Sequence, residues 1–230
     1  MVISVIIPVA GRGERFGGPT PKQYLTIGDK PIITLTVQKF ISLTEIDHGV
    51  VVVAEEEKDT TYNILHNIEG FNTRYKIISG GVKRQDSVYN GLQHIPSNTD
   101  VVIVHDGVRP LITSRIIQES IQEASQSGAC VVAVPVKETI KSVDQYFIEE
   151  TLPRSQLWQA QTPQSFRYPI LNEAHKKARL ANYYSTDESA LVEWAGYPVK
   201  VVRGEYSNIK ITTAEDLMLA RLLYGEDQLK

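Results

Sequence analysis

Between Pro8 and Leu25 the chain carries Gly11, Gly13, Gly17 and Gly18 together with Arg15 and Lys22. Glycines let main chain approach a bulky anion, consecutive N–H groups form a concave nest, and the two cations add positive charge. That is equipment for holding phosphate. Two familiar phosphate loops do not fit. A Walker A loop needs Gly-Lys followed by Ser or Thr, and Gly17-Gly18-Pro19-Thr20 offers none. A dinucleotide fingerprint needs a third glycine where Phe16 stands and a compact βαβ unit, whereas the second apolar run begins only at Gly49. The plain alternative is a glycine-rich turn whose cations face solvent, so the loop needs support from elsewhere in the chain.

That support comes from residues just beyond other apolar runs. Gly80-Gly81 is followed by Arg84, Asp86 and Ser87 at a predicted helix start, where N–H groups and a hydroxyl suit a polar ligand. Asp86 reads equally well as a helix cap. His105-Asp106-Gly107-Val108-Arg109 closes another run; Asp106 and Arg109 suit chemistry or a solvated salt bridge. Lys210 stands between Ile209 and Ile211, and a lysine in an otherwise buried strand needs a negative partner. A lone histidine after an apolar strand is more often hydrogen-bonded structure than catalyst, and His48, His66, His94 and His175 show no ligand spacing. No histidine chemistry is assigned.

The elements that must position these residues follow from periodicity. Short β-branched runs predict strands over 2–7, 49–54, 75–79, 100–105, 130–135 and 199–202. Helical periods predict helices over 31–43, 55–68, 84–95, 114–127, 169–181, 187–195 and 214–224. The alternation implies the α/β class: a doubly wound, mainly parallel sheet covered by helices on both faces. Such sheets bind ligands at the carboxyl ends of their strands, so the loops carrying Lys22, Arg84, Asp106, Thr139 with Lys141, and Lys210 are expected on one rim. Residues 136–167 break the rhythm; an insertion of this kind is a functional lid or an arm that packs on a second subunit, and the arm is the reading taken. The whole chain is read as one domain.

Composition narrows the possibilities. With 230 residues, 42% apolar and 22% charged, the chain is an ordinary globular protein long enough for a substantial core. A formal charge of −3 gives no global field for nucleic acid or a membrane surface, so any anion site is local. Cys130 is the one cysteine and sits in an apolar run, which removes a disulfide framework and a cysteine-rich zinc site. The apolar start lacks a basic flank and is broken at Pro8, so a cytoplasmic protein is expected.

Taken in order, these segments resemble the 2-C-methyl-D-erythritol 4-phosphate cytidylyltransferase family. The resemblance runs through the glycine loop with Pro21-Lys22-Gln23, Arg84-Gln85-Asp86-Ser87-Val88, and His105-Asp106-Gly107-Val108-Arg109-Pro110. It continues through Val136-Lys137-Glu138-Thr139-Ile140-Lys141, Arg154, Gln161-Thr162-Pro163-Gln164, Thr186-Asp187-Glu188-Ser189 and Asn208-Ile209-Lys210. It implies a Rossmann-like nucleotidyltransferase fold with a dimerisation β-arm. The implied reaction joins CTP, with Mg²⁺, to the phosphate of a methylerythritol phosphate, releasing pyrophosphate. By the same resemblance Arg15, Lys22 and Lys210 are catalytic cations. Ala10, Gly11 and Gly13 hold the triphosphate, and Gly81, Arg84, Ser87 and Gly107 surround the cytidine. Asp106, Arg109 and Thr186 take the alcohol phosphate, completed by Thr139 and Arg154 from the partner of a homodimer. Two positions depart from the family's usual pattern: Val9 stands where alanine is common, and Val82 where an acidic residue is frequent, which leaves strictness for cytosine open.

Two other readings compete. A ribitol 5-phosphate cytidylyltransferase of wall polymer synthesis resembles the chain at Pro21-Lys22-Gln23, Gln161-Thr162-Pro163-Gln164 and Gly204-Glu205-Tyr206-Ser207-Asn208. Ser87-Val88-Tyr89-Asn90-Gly91 and Thr186-Asp187-Glu188-Ser189-Ala190 look more like the methylerythritol branch. A noncatalytic nucleotide-binding module needs binding but not three cations placed for transfer, so Arg15, Lys22 and Lys210 together argue against it.

Overall fold

The computed structural model describes residues 1–11 and 20–227. Gly13 and Arg15, expected to hold triphosphate and to act in catalysis, lie outside the described residues.

Apolar runs become the strands of the central sheet. In chain order they are β1 (Ile3–Pro8), then the short hairpin β2 (Thr26–Ile27) and β3 (Lys30–Pro31), α1 (Ile32–Ile41), β4 (His48–Val53), α2 (Lys58–Leu65) and α3 (Phe71–Arg74). β5 (Tyr75–Ser79), α4 (Arg84–Leu92), β6 (Val101–Val104), α5 (Ser114–Ser127) and β7 (Ala129–Pro135) follow. The rest comprises β8 (Lys141–Asp144), β9 (Phe147–Thr151), β10 (Trp158–Arg167), α6 (Tyr168–Ala181), α7 (Glu188–Trp194), β11 (Lys200–Arg203) and α8 (Ala214–Asp227). The helix expected over 55–68 is shorter, because a 3₁₀ turn over Glu55–Glu57 precedes α2. None of the three glutamates of that turn is buried, so it offers no apolar face to extend the packing of α2.

Among the described residues seven strands form one sheet in the order β11-β7-β10-β6-β1-β4-β5. β1 pairs in parallel with both β4 and β6, β4 with β5, and β7 with β11. Alternate residues of each strand enter two cores. Val5, Ile7, Val51, Val53 and Ile103 pack against Ile33, Val37 and Phe40 of α1 and Ile116, Ile117 and Ile121 of α5. Ile6, Val50, Val52, Val102 and Val104 pack on the opposite side against Val88 and Leu92 of α4, Leu171 and Ala178 of α6, and Leu191 of α7. Both faces of the sheet are therefore helix-covered, which is why its strands read as continuous apolar runs. From β1 the chain first adds β4 and β5 on one side, then returns to place β6 on the other. The crevice between the carboxyl ends of β1 and β6 is thus a topological switch point, where such sheets take ligands.

The segment 136–167 is not a single insertion. Only β8 and β9 project, as an antiparallel hairpin turned by Gln145 and Tyr146, both with positive φ (45° and 69°). β10 instead enters the central sheet, antiparallel to both β6 and β7, with a bulge between Ala160 and Gln164. Its sequence conceals this because its buried positions include Gln161, Thr162, Gln164 and Ser165, which break any apolar alternation. Each finds a partner: for example, Ser165 Oγ lies 3.0 Å from Ser120 Oγ, and Gln161 Nε2 donates to Glu205 O at 2.9 Å. Buried polar groups so paired cost little.

Cys130 is buried, its thiol donates to Ser120 O, and burial pushes its pKa up to about 12, so it remains a protonated core residue. Among the described residues no helix is long and apolar enough to cross a membrane.

Candidate functional site

The loop after β1 and the turn over Lys22–Tyr24 face the loop between β5 and α4 across a cleft of about 640 Å³, open to solvent at its mouth. Ala10, Gly11, Lys22, Gly81, Arg84, Ser87, Asp106 and Lys210 line it, together with Gln23, Val82 and Lys83. The two lysines on which a phosphate-transfer reading depends, far apart in sequence, share one cavity.

Close approach of main chain makes the cleft narrow enough to grip. A Cβ added at Gly80 would come within 2.6 Å of Ala10 Cβ and 2.7 Å of Ser87 Oγ, and one at Gly81 within 2.3 Å of Asp86 Cβ. Ser87 Oγ accepts from Gly81 N at 3.1 Å and donates to Lys83 O at 3.2 Å, fixing the start of α4. Asp86 accepts from Lys83 N at 3.2 Å and does not line the cleft, so it is a helix cap. Lys22 is carried by a turn whose buried neighbour Gln23 donates to Glu57 at 2.9 Å, while Tyr24 donates to the same carboxylate at 3.2 Å.

A second cavity adjoins the first. It is lined by Arg109, Ala160, Gln161, Thr162, Gln164, Thr186 and Asp187, and Arg84, Asp106 and Lys210 form the wall common to both. Its far side is pinned by amides from two elements. Gln164 donates to Asp187 at 2.9 Å and accepts from Ser189 N at 3.0 Å; Gln85 donates to Tyr183 O and accepts from Ser185 N. Asp187 also caps α7 by accepting from Ala190 N at 2.8 Å. Thr186 is therefore held between two clamped turns.

Asp106 is the electrostatic centre. Lys210 Nζ lies 3.0 Å from its carboxylate, Arg84 Nη2 3.3 Å and Arg109 Nε 3.5 Å. Burial alone would raise the Asp106 carboxyl, but the Arg84, Lys210 and Arg109 charges together hold it well below the usual carboxylate range. The Asp106–Arg109 pair is thus buried, where a solvated salt bridge had been the plain expectation; Asp106 is 6% and Arg109 9% exposed. Arg109 also donates to Asn208 O at 2.8 Å, and burial lowers its pKa despite Asp106. Residues 209–211 are not the strand expected for them, yet Lys210, beside the buried Ile211, has the negative partner that was expected. It is aimed by its neighbours: Asn208 is buried and donates to Thr162 O, and Ile211 N donates to Val108 O.

His105 has no free nitrogen for proton transfer. Arg109 O can only accept, so His105 Nε2–H donates to it (3.1 Å); in the neutral ring Nδ1 then accepts from the Thr162 hydroxyl (3.1 Å), whose oxygen accepts from Asp106 N (3.0 Å). This chain of bonds assigns the neutral tautomer. Burial drives its pKa down to about 4, in keeping with a structural imidazole.

Of the expected rim, the loop after β7 does not arrive. Thr139 and Arg154 line neither cavity; Arg154 donates to Lys137 O at the base of the arm, while Lys141, within the hairpin, bonds Thr151. The bulge of β10 takes that loop's place. Gly107 also lines neither cavity; a Cβ there would meet Val9 Cγ1 at 2.7 Å, and its carbonyl accepts from Thr36 Oγ1, so it serves close packing of β6 against β1. Sequence reasoning gave no role to Glu188, which is 1% exposed and lies 2.6 Å from Arg84 Nη1. A carboxylate on the buried side of a short helical period was the available signal. Among the described residues no three His, Cys, Asp or Glu side chains converge as a metal site.

The arrangement can hold two phosphorylated ligands end to end with cations at their junction. The family model described as IspD, 2-C-methyl-D-erythritol 4-phosphate cytidylyltransferase, matches residues 3–226. Curated proteins of that name from Clostridioides difficile and Syntrophotalea carbinolica are 46% and 43% identical to this chain. The first alignment covers 98% of this chain and 94% of the relative, the second 96% and 95%. A crystal structure of 4-diphosphocytidyl-2C-methyl-D-erythritol synthase from Anaerococcus prevotii superposes with a TM-score of 0.86 at 30% identity, covering 97% of this chain and 96% of that one.

Proposed function

The chain belongs to the 2-C-methyl-D-erythritol 4-phosphate cytidylyltransferase family, and from that membership we propose how its two cavities divide the reaction. It is a cytidylyltransferase that makes 4-diphosphocytidyl-2-C-methyl-D-erythritol for isoprenoid synthesis. CTP occupies the cleft between Ala10-Gly11 and Gly81–Ser87, and the alcohol phosphate occupies the cavity beside Arg109 and Thr186. One observation carries this reading: Lys22 and Lys210 line the same cleft, and Lys210 also stands on the wall facing the second cavity.

An oxygen of the alcohol phosphate attacks the α-phosphorus of CTP. A phosphorus–oxygen bond forms as the bond to the β-phosphate bridge breaks, and pyrophosphate leaves. Negative charge gathers on the nonbridging oxygens, so positioning and fixed cations supply most of the catalysis. Lys22 and Lys210 serve there, with Arg15 as a third cation. A phosphate dianion is already nucleophilic near neutral pH, so no general base is required, in accord with a His105 whose nitrogens are both occupied. Mg²⁺ travels with the triphosphate as part of the substrate, because Asp106, the one carboxylate lining the nucleotide cleft among the described residues, is engaged by three cations.

The working form is a homodimer in which Thr139 and Arg154 of each arm complete the alcohol-phosphate site of the other subunit. Two features support it. Tyr146, Phe147 and Ile148 are at least 63% exposed on a two-stranded hairpin, which has little stability alone. Neither Thr139 nor Arg154 lines either of the two cavities of its own subunit. A cytoplasmic setting suits a reaction drawing on CTP.

The test is a substrate panel: methylerythritol phosphate and ribitol 5-phosphate, each with CTP, UTP and ATP and Mg²⁺, followed by pyrophosphate release. Turnover with CTP and methylerythritol phosphate at the highest kcat/KM supports the reading. A preference for ribitol 5-phosphate, or release with neither alcohol, overturns it. Equal use of UTP would mean that the main chain around Val82 does not read the base.

A further inference from the structure

Arg84 is the one guanidinium that lines both cavities among the described residues, and its two ends are held by different carboxylates. On the cleft side Arg84 Nε and Nη2 lie 3.3 Å from Asp106. On the opposite side Nη1 lies 2.6 Å from Glu188, a residue of α7 that lines neither cavity and is 1% exposed. The two contacts differ in kind. Asp106 is shared among Arg84, Arg109 and Lys210 and lies closest to Lys210, so its charge is not given to Arg84 alone. Glu188 has Arg84 as its one ion-pair partner among the described residues, at the shorter distance and in the drier place.

A carboxylate so deeply buried is costly unless paired, and pairing is strongest with a charge-assisted hydrogen bond of this length. Glu188 sits in the first turn of α7, directly after the Asp187 cap and the clamped 183–187 turns, so its carboxylate is held by a rigid support. Arg84 enters from the first residue of α4, whose start is fixed by Ser87 and Asp86. Two fixed helix starts thus hold one side chain taut between them.

We infer that Glu188 is a positioning residue for nucleotide binding: it holds the Arg84 guanidinium back against the wall, leaving the cleft open and one face of the cation toward the nucleotide. This rests on the proposed placement of CTP beside Arg84. Without the Glu188 charge, Arg84 swings off the wall toward Asp106, competing with Lys210 for the same carboxylate and taking space in the cleft that the nucleotide needs. Glu188 therefore acts on CTP through Arg84 and touches no substrate itself.

The experiment is a double-substitution cycle with Glu188→Gln and Arg84→Met, read by calorimetric titration with CTP and Mg²⁺ and by KM and kcat for each substrate. Glu188→Gln keeps the shape of the side chain and removes its charge. Coupled neighbours of this kind shift affinity by about tenfold, so CTP binding should weaken by that order, with kcat and the KM for the alcohol phosphate much less changed. In the Arg84→Met background the same substitution should change CTP binding less than twofold, and Glu188→Asp should recover part of the loss. If Glu188→Gln alone fails to fold, Glu188→Asp, which keeps the charge but shortens its reach to Arg84, carries the test: weaker CTP binding with kcat kept supports the inference, and unchanged CTP binding overturns it. Effects that multiply across the cycle, or a loss falling on the alcohol phosphate instead, would show that Glu188 merely supports α7 and overturn the inference while CTP turnover by the unaltered enzyme stands. No CTP binding by the unaltered enzyme would overturn the proposed function and this inference with it.

Discussion

The Lys210 ammonium lies 3.0 Å from the Asp106 carboxylate on the wall that divides the two cavities. An ammonium has three donors, so this pairing leaves Lys210 able to bond phosphate oxygens without releasing Asp106. The carboxylate aims the lysine before substrate arrives, which is the preorganisation that makes a fixed charge effective in a transition state.

Removing either junction cation should therefore strike the chemical step. Lys22→Ala and Lys210→Ala should each lower kcat by about 10²–10³, corresponding to about 3–4 kcal/mol of lost transition-state stabilisation. Circular dichroism should show both variants folded. Near-normal turnover in either would remove that lysine from the mechanism.

The arm makes a prediction about assembly. Phe147→Asp combined with Ile148→Asp places two charges where exposed apolar side chains await cover. Sedimentation should show a shift to monomer, and activity should fall with it. A monomeric variant that keeps full turnover would contradict completion of the site by a partner.

Shared sites also predict rescue. Lys22→Ala and Arg154→Ala are each expected to be inactive alone. In a mixed dimer one site collects both defects and the other neither, so mixing should restore part of the activity. Mixed dimers verified by mass spectrometry yet still inactive would count against a shared site.

Two buried histidines set an acid limit on stability. Burial holds His105 down to about 4 and His175 to about 3, whereas an unfolded imidazole titrates near 6.5. Below about pH 6.5 the unfolded chain thus binds more protons than the folded one, and stability falls as pH falls, by about 1.4 kcal/mol per pH unit for each histidine. Neither His175 nitrogen has a hydrogen-bond partner, so His175→Leu should fold and flatten the slope of denaturation free energy between pH 6 and 4 by about one proton. An unchanged slope would show that His175 takes its proton in the folded state. Asp106 acts in a lower window: its depressed carboxyl contributes stability above about pH 4, lost only as the pH falls further.

The glycine at 80 offers a steric test. Gly80→Ala would drive a methyl into Ala10 Cβ and Ser87 Oγ, and overpacking of this kind costs about 1–3 kcal/mol. The strain falls across the cleft, so affinity for CTP should drop with the melting temperature. A variant that loses stability while binding CTP normally would show that the two loops need not approach so closely.

Much of this architecture was legible in residue order. Continuous runs such as Val50-Val51-Val52-Val53 can be satisfied only between two helical layers, which is why six strands of the parallel sheet and the span of α5 could be read directly. β10 was not legible, because strand identity there rests on pairing of Gln161, Thr162, Gln164 and Ser165 with partners distant in the chain. The same blindness misplaced one loop: the rim position expected for Thr139 and Lys141 belongs to the bulge of β10.

What the sequence determined by itself is the inventory of charges and the places where main chain can come close: Lys22, Arg84, Asp106, Arg109 and Lys210, with Gly11 and Gly80-Gly81 among them. Local propensity and apolar periodicity act over a few residues, so they fix such features without reference to the rest of the chain. Which cation meets which carboxylate was decided only by the tertiary structure. Asp106 gathers Arg84, Arg109 and Lys210, while Glu188 claims the far side of Arg84, because sheet order brings the ends of β1 and β6, the start of α4 and the start of α7 to one crevice. Electrostatic pairing falls off over a few ångströms in space and is indifferent to separation along the chain.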